Sequence, residues 1–140
     1  MNESTTAYVL DTSAWLTLIE DEPGSDIVQN LIEEAQTGQI LLFTSFISYM
    51  EVYYIALQEH GEEEASVRIN LMASLPVFRI ESSTALGNIA GQIKARYRLS
   101  VADAWIAALA RLYSAILVHK DPEFEQVGNL LSLSPLPYKG

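Results

Sequence analysis

Short, continuous apolar runs alternate with longer segments of helical periodicity along the whole chain, and this alternation restricts the fold more than any other feature. The first run is Ala7–Leu10, three more lie at residues 40–43, 77–80 and 115–118, and a weak fifth lies near 130–133. Runs that are apolar throughout, rather than at every second position, are typical of parallel strands buried on both faces. Strands of this kind separated by helices predict a three-layer α/β/α sandwich around a central parallel sheet.

Six longer segments have the apolar spacing of helices. In residues 26–36, for example, apolar side chains recur at intervals of three and four positions, which is the pattern of one buried helix face. The predicted helices cover residues 12–19, 26–36, 45–57, 62–75, 84–97 and 101–113. A chain of 140 residues can bury one full core. We therefore predict a single domain over residues 1–140, with an extended, peripheral tail at 134–137.

The composition excludes several classes of protein. There is no cysteine, so disulfides and thiolate metal sites are excluded. No apolar run is long enough to span a bilayer, and the first residues lack the basic and apolar regions of a signal peptide. We therefore expect a cytoplasmic protein without a membrane partner.

The formal net charge of −10 argues against general nucleic-acid binding, because neutralising phosphate charge supplies most of that affinity. The basic residues are unevenly distributed, however. Five of the eight lie within one stretch, namely Lys94, Arg96, Arg98, Arg111 and Lys120. They leave room for a local basic rim that holds an RNA backbone, although each is equally explained as an ordinary surface charge.

Four acidic residues stand where a folded chain prefers apolar or neutral side chains. Asp11 and Asp121 follow the first and the fourth apolar run, whereas Glu51 and Asp103 lie inside the most hydrophobic helical segments. Charged side chains are seldom buried without a partner. The chain offers only 8 Lys and Arg residues against 18 Asp and Glu residues. If the four acids converge, their missing partner is a divalent metal ion.

Each acid also has a purely structural interpretation. Asp is a good helix N-cap, so Asp11 could simply begin the helix at 12–19. Asp103 lies three residues after Ser100, a spacing that resembles a capping box. Asp121 could open a turn, and Glu51 could belong to an exposed polar stripe of its helix. Both interpretations stay open for each residue taken alone.

A shared metal ion explains all four acids at once. In a parallel sheet, ligands bind outside the carboxyl ends of the strands, where Asp11 and Asp121 are expected, and the helices of Glu51 and Asp103 can cover those ends. Two ionised carboxylates about 5 Å apart repel by roughly 3 kcal/mol at an effective dielectric constant near 20. A hard divalent cation removes this repulsion, and an all-oxygen site without thiolates favours Mg²⁺, with Mn²⁺ as a substitute.

The segments around these acids resemble those of the PIN-domain family, and within it the VapC-type toxins of toxin–antitoxin pairs. Order and spacing agree over nearly the whole chain. The matching segments are Val9-Leu10-Asp11-Thr12-Ser13-Ala14, Glu51-Val52 within its helix, Leu99-Ser100-Val101-Ala102-Asp103-Ala104-Trp105-Ile106-Ala107, and Ile116-Leu117-Val118-His119-Lys120-Asp121-Pro122-Glu123-Phe124.

The resemblance implies the same α/β/α fold and a Mg²⁺-dependent endoribonuclease that hydrolyses RNA phosphodiester bonds. It implies Asp11 and Asp103 as direct metal ligands, with Glu51 and Asp121 completing the catalytic acidic pocket. Ser13 is expected either to orient a ligand or only to begin a helix. As partners we expect RNA, a cognate antitoxin whose tail covers the site, and a second copy of the chain in a homodimer. Aromatic side chains available for such surfaces are Trp15, Tyr49, Tyr53 and Tyr54.

Two departures from the family pattern stand beside this resemblance, the acidic net charge and His119. The family commonly has Thr or Ser two residues before the last acid, where this chain has His119. The imidazole could donate a hydrogen bond, contact phosphate or simply end a strand. The alternative to an enzyme is a catalytically silent PIN-like interaction module. A phosphatase with an aspartyl nucleophile is disfavoured, because position 13 is Ser rather than the usual second acid.

Overall fold

The computed structural model describes residues 5–139. Its strands are β1 (Ala7–Leu10), β2 (Leu41–Ser45), β3 (Phe78–Ile80), β4 (Ile116–His119) and β5 (Leu133–Pro135). They form one sheet in the order β3-β2-β1-β4-β5, and every neighbouring pair is parallel. The predicted central parallel sheet is confirmed.

All six predicted helices are present, with ends that differ from the prediction by at most three residues. They are α1 (Thr12–Ile19), α2 (Ser25–Gln36), α3 (Phe46–His60), α4 (Glu62–Ser74), α5 (Thr84–Arg96) and α6 (Val101–Leu112), followed by a 3₁₀ helix at Pro122–Val127. The largest difference is at α3, which continues to His60 because the chain first breaks at Gly61, with φ of 94°. Within residues 5–139, no helix is both long and apolar enough to cross a bilayer.

The helices cover both faces of the sheet, which confirms the three-layer sandwich. Successive side chains of a strand point to opposite faces, and the central strands follow this rule. Val9 of β1 and Leu117 of β4 pack into one core cluster with α5 and α6. Their neighbours Leu10 and Val118 pack into a second cluster with α1 and α2. Because both faces are covered, the central strands are apolar throughout.

The order of the strands creates a crevice at one edge of the sheet. From β1 the chain proceeds outward through β2 to β3, and it then returns to the other side of β1 to form β4 and β5. The direction of winding therefore reverses between β1 and β4. In open parallel sheets, the crevice at the carboxyl ends of such a strand pair is the usual ligand site.

The end of the chain differs from the sequence-based prediction. The fifth strand lies at Leu133–Pro135 rather than near 130–133, and the prediction of a peripheral tail was wrong. Leu136 is only 2% exposed, and its N–H donates to the carbonyl of His119 over 2.7 Å. Pro135 is tolerated because β5 is an edge strand, where a missing N–H donor costs little. Alternating Ser and Pro residues conceal this pairing in the sequence.

Gly24 lies against this final segment. Its φ is 103°, and a Cβ atom there would come within 3.0 Å of Pro137 Cδ and 3.2 Å of Leu136 Cβ. We expect Gly24→Ala to lower the free energy of unfolding by about 3 kcal/mol, since backbone strain and overpacking add. Gly38→Ala is the matched control, because Gly38 has a φ of 81° but open space around it. It should cost roughly 1 kcal/mol from strain alone. Urea unfolding of both variants measures the difference, and equal losses would contradict close packing of the segment.

Candidate active site

Two of the four acids lie at the carboxyl ends of adjacent central strands. Asp11 follows β1 directly, and its N–H donates to the carbonyl of Val118 on β4 over 3.2 Å. Asp121 lies two residues beyond the end of β4. The side chain of Asp11 is buried, with 3% exposure, whereas Asp121 is half-buried. The winding order of the sheet thus brings together two residues that are 110 positions apart in the chain.

The Asp11 carboxylate is held by two hydrogen-bond donors from its own turn. The Ala14 N–H donates to Oδ1 over 2.7 Å, and the Ser13 hydroxyl donates to both carboxylate oxygens over 2.8 Å. Ser13 Oγ in turn accepts from the N–H of Lys120 over 2.8 Å. Ser13 therefore does more than begin a helix, because it ties the turn after β1 to the turn after β4.

Glu51 projects from α3 toward the same turn. The Thr12 hydroxyl donates to Glu51 Oε1 over 2.6 Å. Thr12 Oγ1 also lies 3.0 Å from Ser48 Oγ. Since the single Thr12 proton is committed to Glu51, Ser48 is the donor in that second bond. Ser48 is buried and Glu51 is half-buried, so the exposed polar stripe considered for this helix is not formed.

Asp103 lies in the first turn of α6. Ser100 caps this helix by accepting from the Asp103 N–H over 3.1 Å. Half of a capping box is therefore present, but the Asp103 carboxylate does not reach back to close it among the described hydrogen bonds. That carboxylate is half-buried and remains available to the site.

Asp121 caps the 3₁₀ helix and is supported by His119. Its Oδ1 accepts from the Glu123 N–H over 2.9 Å. The N–H of Asp121 donates to His119 Nδ1 over 3.2 Å. His119 ends β4 and is fully buried, so it is a strand-end residue that accepts a hydrogen bond rather than a donor or a phosphate contact. Burial lowers the pKa of His119, which keeps the ring neutral for this role.

The four acids influence one another electrostatically. Burial raises the pKa of Asp11 to about 8, although the hydrogen bonds from Ala14 and Ser13 oppose the shift; the charges of Asp103 and Asp121 raise it further. Burial, followed by the charges of Asp121 and Glu51, raises the pKa of Asp103 to about 6. Burial is thus the main cause of both shifts, and the neighbouring carboxylates add to it.

No basic side chain offsets this negative charge. All eight Lys and Arg residues belong to the described part of the chain, and none forms an ion pair with any of the four carboxylates. Oδ2 of Asp121 and Oε2 of Glu51 also have no hydrogen-bond donor among residues 5–139, and the Asp103 carboxylate has the Ser100 hydroxyl as its side-chain partner, which opposes the rise of its pKa. The capping interpretation is thus correct for Asp11, and Asp121, interpreted as a turn opener, caps the 3₁₀ helix; neither role balances the charge of the four acids.

The spacing of the acids is wider than that of a preformed metal cage. Within residues 5–139, one group of three acidic or His side chains has its ligand atoms within 4.8 Å of one another. It consists of Glu20, Glu59 and His60, so the four acids do not form such a group. This group is exposed, and Glu20 already pairs with Arg68 over 3.0 Å. Exposed acidic groups of this kind are common without a metal.

The basic rim considered from the sequence is smaller than five residues. Lys120 is buried, and its Nζ contacts the carbonyl of Pro23 at 2.7 Å and Glu22 at 3.4 Å. Arg111 lies in the last turn of α6, at the opposite end of that helix from Asp103, and donates to the carbonyl of Leu130 over 2.6 Å. The three exposed cations that remain are Lys94, Arg96 and Arg98, at the end of α5 and in the loop to α6.

The aromatic residues divide into two groups. Trp15 and Tyr49 belong to the core, whereas Tyr53 and Tyr54 are 40% and 42% exposed on α3. Sequence reasoning missed the orienting hydroxyls of Thr12 and Ser48. The only signal for them was a Thr directly after the first acid, which is also an ordinary helix-start residue.

Residues 8–130 match the profile of a protein family described as PIN domain. No curated protein sequence matches the chain significantly. Among solved structures, VapBC2 from Rickettsia felis bound to a promoter DNA fragment aligns with a TM-score of 0.77 at 21% identity, covering 94% of this chain and 100% of the other.

Two further solved structures have the same fold. DNA-bound VapBC from Salmonella typhimurium aligns with a TM-score of 0.77 at 20% identity, covering 94% of this chain and 98% of the other. The sarcin–ricin-loop-cleaving toxin VapC20 from Mycobacterium tuberculosis aligns with a TM-score of 0.69 at 18% identity, covering 86% and 95%. At these identities the alignments establish a common fold.

Proposed function

The chain belongs to the PIN-domain family, and on that premise we propose that it is a metal-dependent endoribonuclease of the VapC type, the toxin of a toxin–antitoxin pair. One observation carries the proposal. Four carboxylates from four separate elements lie at the carboxyl edge of the sheet, where burial and then their mutual charges raise the pKa of Asp11 and Asp103, with no Lys or Arg in an ion pair with them. A structural cluster without a ligand would be costly to maintain.

The donor set fits Mg²⁺ or Mn²⁺. All the candidate ligand atoms are carboxylate oxygens, which hard cations prefer. Mg²⁺ usually keeps several of its waters and binds through one or two carboxylates, so it suits acids spaced more widely than a closed cage. Asp11 and Asp103 would hold the ion directly, and Glu51 and Asp121 would complete the pocket. When bound, the cation lowers the pKa of a water molecule and neutralises charge that builds up on the phosphate.

The residues around the acids keep this arrangement in place. Ser13 and Thr12 fix the orientations of Asp11 and Glu51 through their hydroxyl groups. The unpaired oxygens of Glu51 and Asp121 can each accept a hydrogen bond from the attacking water and so orient it toward the phosphorus atom. The exposed cations at residues 94–98 would hold the RNA backbone beside the site.

Cleavage of total RNA tests the proposal. The purified protein should cut RNA with Mg²⁺ or Mn²⁺ and lose that activity in EDTA. Asp103→Asn should behave like the EDTA sample, whereas Glu63→Gln, which removes an exposed carboxylate on α4, should cut like the wild type. Equal cleavage by the wild type and Asp103→Asn would exclude the proposed site. No cleavage of any RNA would favour the silent interaction module instead.

The proposed partners are a cognate antitoxin and a second copy of this chain. The solved VapBC structures with the same fold are toxin–antitoxin assemblies, which supports the first. Met50, Tyr53 and Tyr54 support the second, because they are 40% to 54% exposed on one helix and form an apolar patch. Sedimentation equilibrium of the chain alone, compared with Tyr53→Glu, measures whether a dimer forms through α3.

The role of His119 can be tested with two carboxamides. The side-chain oxygen of Asn lies near the position of Nδ1 and can still accept from the Asp121 N–H. The amide of Gln lies near the position of Nε2 instead and cannot replace that acceptor. We expect His119→Gln to lower kcat about tenfold and His119→Asn to lower it less, because a misplaced supporting group typically costs 10- to 100-fold. Initial rates of cleavage at saturating RNA measure both values of kcat. If His119 only filled space, His119→Asn would lower kcat more than His119→Gln, because Gln fills the volume of the imidazole better. That result would contradict the role of His119 as an acceptor for the Asp121 N–H.

A further inference from the structure

A cavity of about 450 Å³ opens directly beside the acidic cluster. Ser13 and Asp121 form the wall that it shares with the cluster. Leu16, Ile55, Pro122 and Tyr138 give it uncharged walls, and its remaining lining residues are charged, namely Glu20, Glu22, Glu59, Lys120 and Lys139. Binding sites for small ligands are clefts of this size with apolar walls and a few polar groups. The cavity is therefore continuous with the proposed active site but chemically different from it.

Tyr138 is fixed at the rim of this cavity. Its hydroxyl donates to Glu125 Oε2 over 2.8 Å, and its ring centroid lies 6.1 Å from that of the buried His119. The preceding segment is anchored through Leu136, whose side chain lies in the core. The ring is nevertheless 36% exposed. A tyrosine whose hydroxyl is hydrogen-bonded and whose side chain is partly exposed offers a surface for stacking.

Two acidic residues of the cavity are paired with local cations. Glu22 pairs with Lys120 over 3.4 Å and with Lys139 over 3.2 Å, and Glu20 pairs with Arg68 over 3.0 Å. Glu59 and Asp121 are the lining carboxylates without a Lys or Arg partner among the described residues. Lys120 and Lys139 therefore offset part of the negative charge that an RNA strand meets in the cavity.

We propose that this cavity is a subsite for an unpaired nucleobase of the RNA next to the scissile phosphate, with the base stacked on Tyr138. The assignment rests on the proposed function, because it takes single-stranded RNA as the substrate. Unpaired bases are recognised by stacking on aromatic side chains. Leu16 and Ile55 form the apolar surface available to the same base. Stacking tolerates any base, so the subsite selects for an unpaired nucleotide rather than for a sequence.

Binding measurements test the subsite independently of cleavage. In the Asp103→Asn background, which is expected not to cut, fluorescence anisotropy gives the Kd for a short oligouridylate and for an abasic ribose-phosphate chain of the same length. We expect Tyr138→Ala to weaken binding of the oligouridylate about tenfold, the effect of losing one base–aromatic stack. Binding of the abasic chain should not change. Tyr138→Phe, which keeps the ring, should resemble the parent protein for both ligands.

Tyr113→Ala is the matched control, because Tyr113 is an exposed tyrosine beyond the last residue of α6. It should leave both affinities unchanged. The subsite is overturned if Tyr138→Ala weakens binding of both chains equally, if it weakens neither, or if no RNA binds. Weaker binding of a cognate antitoxin by Tyr138→Ala, with RNA affinity intact, would assign the cavity to a peptide instead. Failure of the wild type to cleave RNA would count against the proposed function alone.

Discussion

Replacing Asp11 by Asn is expected to lower RNA cleavage by about 10³-fold, since loss of a direct ligand removes several kcal/mol of transition-state stabilisation. Asn keeps an oxygen that can accept from the Ala14 N–H, so the cap of α1 survives and the fold is retained. The variant removes the charge of one carboxylate and little else. Initial rates of cleavage at saturating Mg²⁺ measure the effect.

Asp26→Asn is the matched control for this substitution. Asp26 lies exposed in the first turn of α2, at a distance from the site, and its replacement by Asn removes the same charge. It should cut RNA at the wild-type rate. A rate for Asp11→Asn within a few fold of that control would mean that the Asp11 carboxylate takes no part in the reaction.

The second large effect concerns the stability of the metal-free protein as a function of pH. Asp11 ionises near 3.8 in an unfolded chain and near 8 in the folded protein. Below pH 3.8 the carboxyl is protonated in both states and contributes nothing. Between these two values the unfolded chain loses its proton while the folded protein keeps it, so the free energy of unfolding falls as the pH rises. Asp103, with a folded pKa of about 6, adds to the fall in the lower part of this range.

In EDTA we therefore expect Asp11→Asn to be more stable than the wild type at pH 8, by at most about 5 kcal/mol, and the two to be nearly equal at pH 4. Mg²⁺ should raise the melting temperature of the wild type, because it binds only the folded site, and should raise that of the variant less. Urea unfolding followed by the fluorescence of the buried Trp15 measures this. A wild type more stable than Asp11→Asn at pH 8 in EDTA would contradict the buried, unpaired carboxylate.

Much of this site could be predicted from the sequence, and the reason lies in the two central strands. β1 and β4 are apolar on both faces, so their carboxyl ends could be located within a residue or two, and Asp11 and Asp121 followed. Glu51 and Asp103 could be placed near those ends because each lies early in a helix that a parallel α/β topology packs over the strand ends. What could not be predicted depends on contacts between distant segments. The burial of Lys120, the pairing of β5 and the position of Tyr138 have no periodic signal in the chain.

Binding of Mn²⁺, followed by electron paramagnetic resonance, tests most directly whether residues far apart in the sequence hold one cation together. The wild type should bind Mn²⁺, and Asp11→Asn and Asp103→Asn should each abolish most of that binding. Glu59→Gln, which disrupts the exposed group around Glu20 and His60, should bind like the wild type. Unchanged Mn²⁺ binding in the two Asn variants, with loss in Glu59→Gln, would contradict the account.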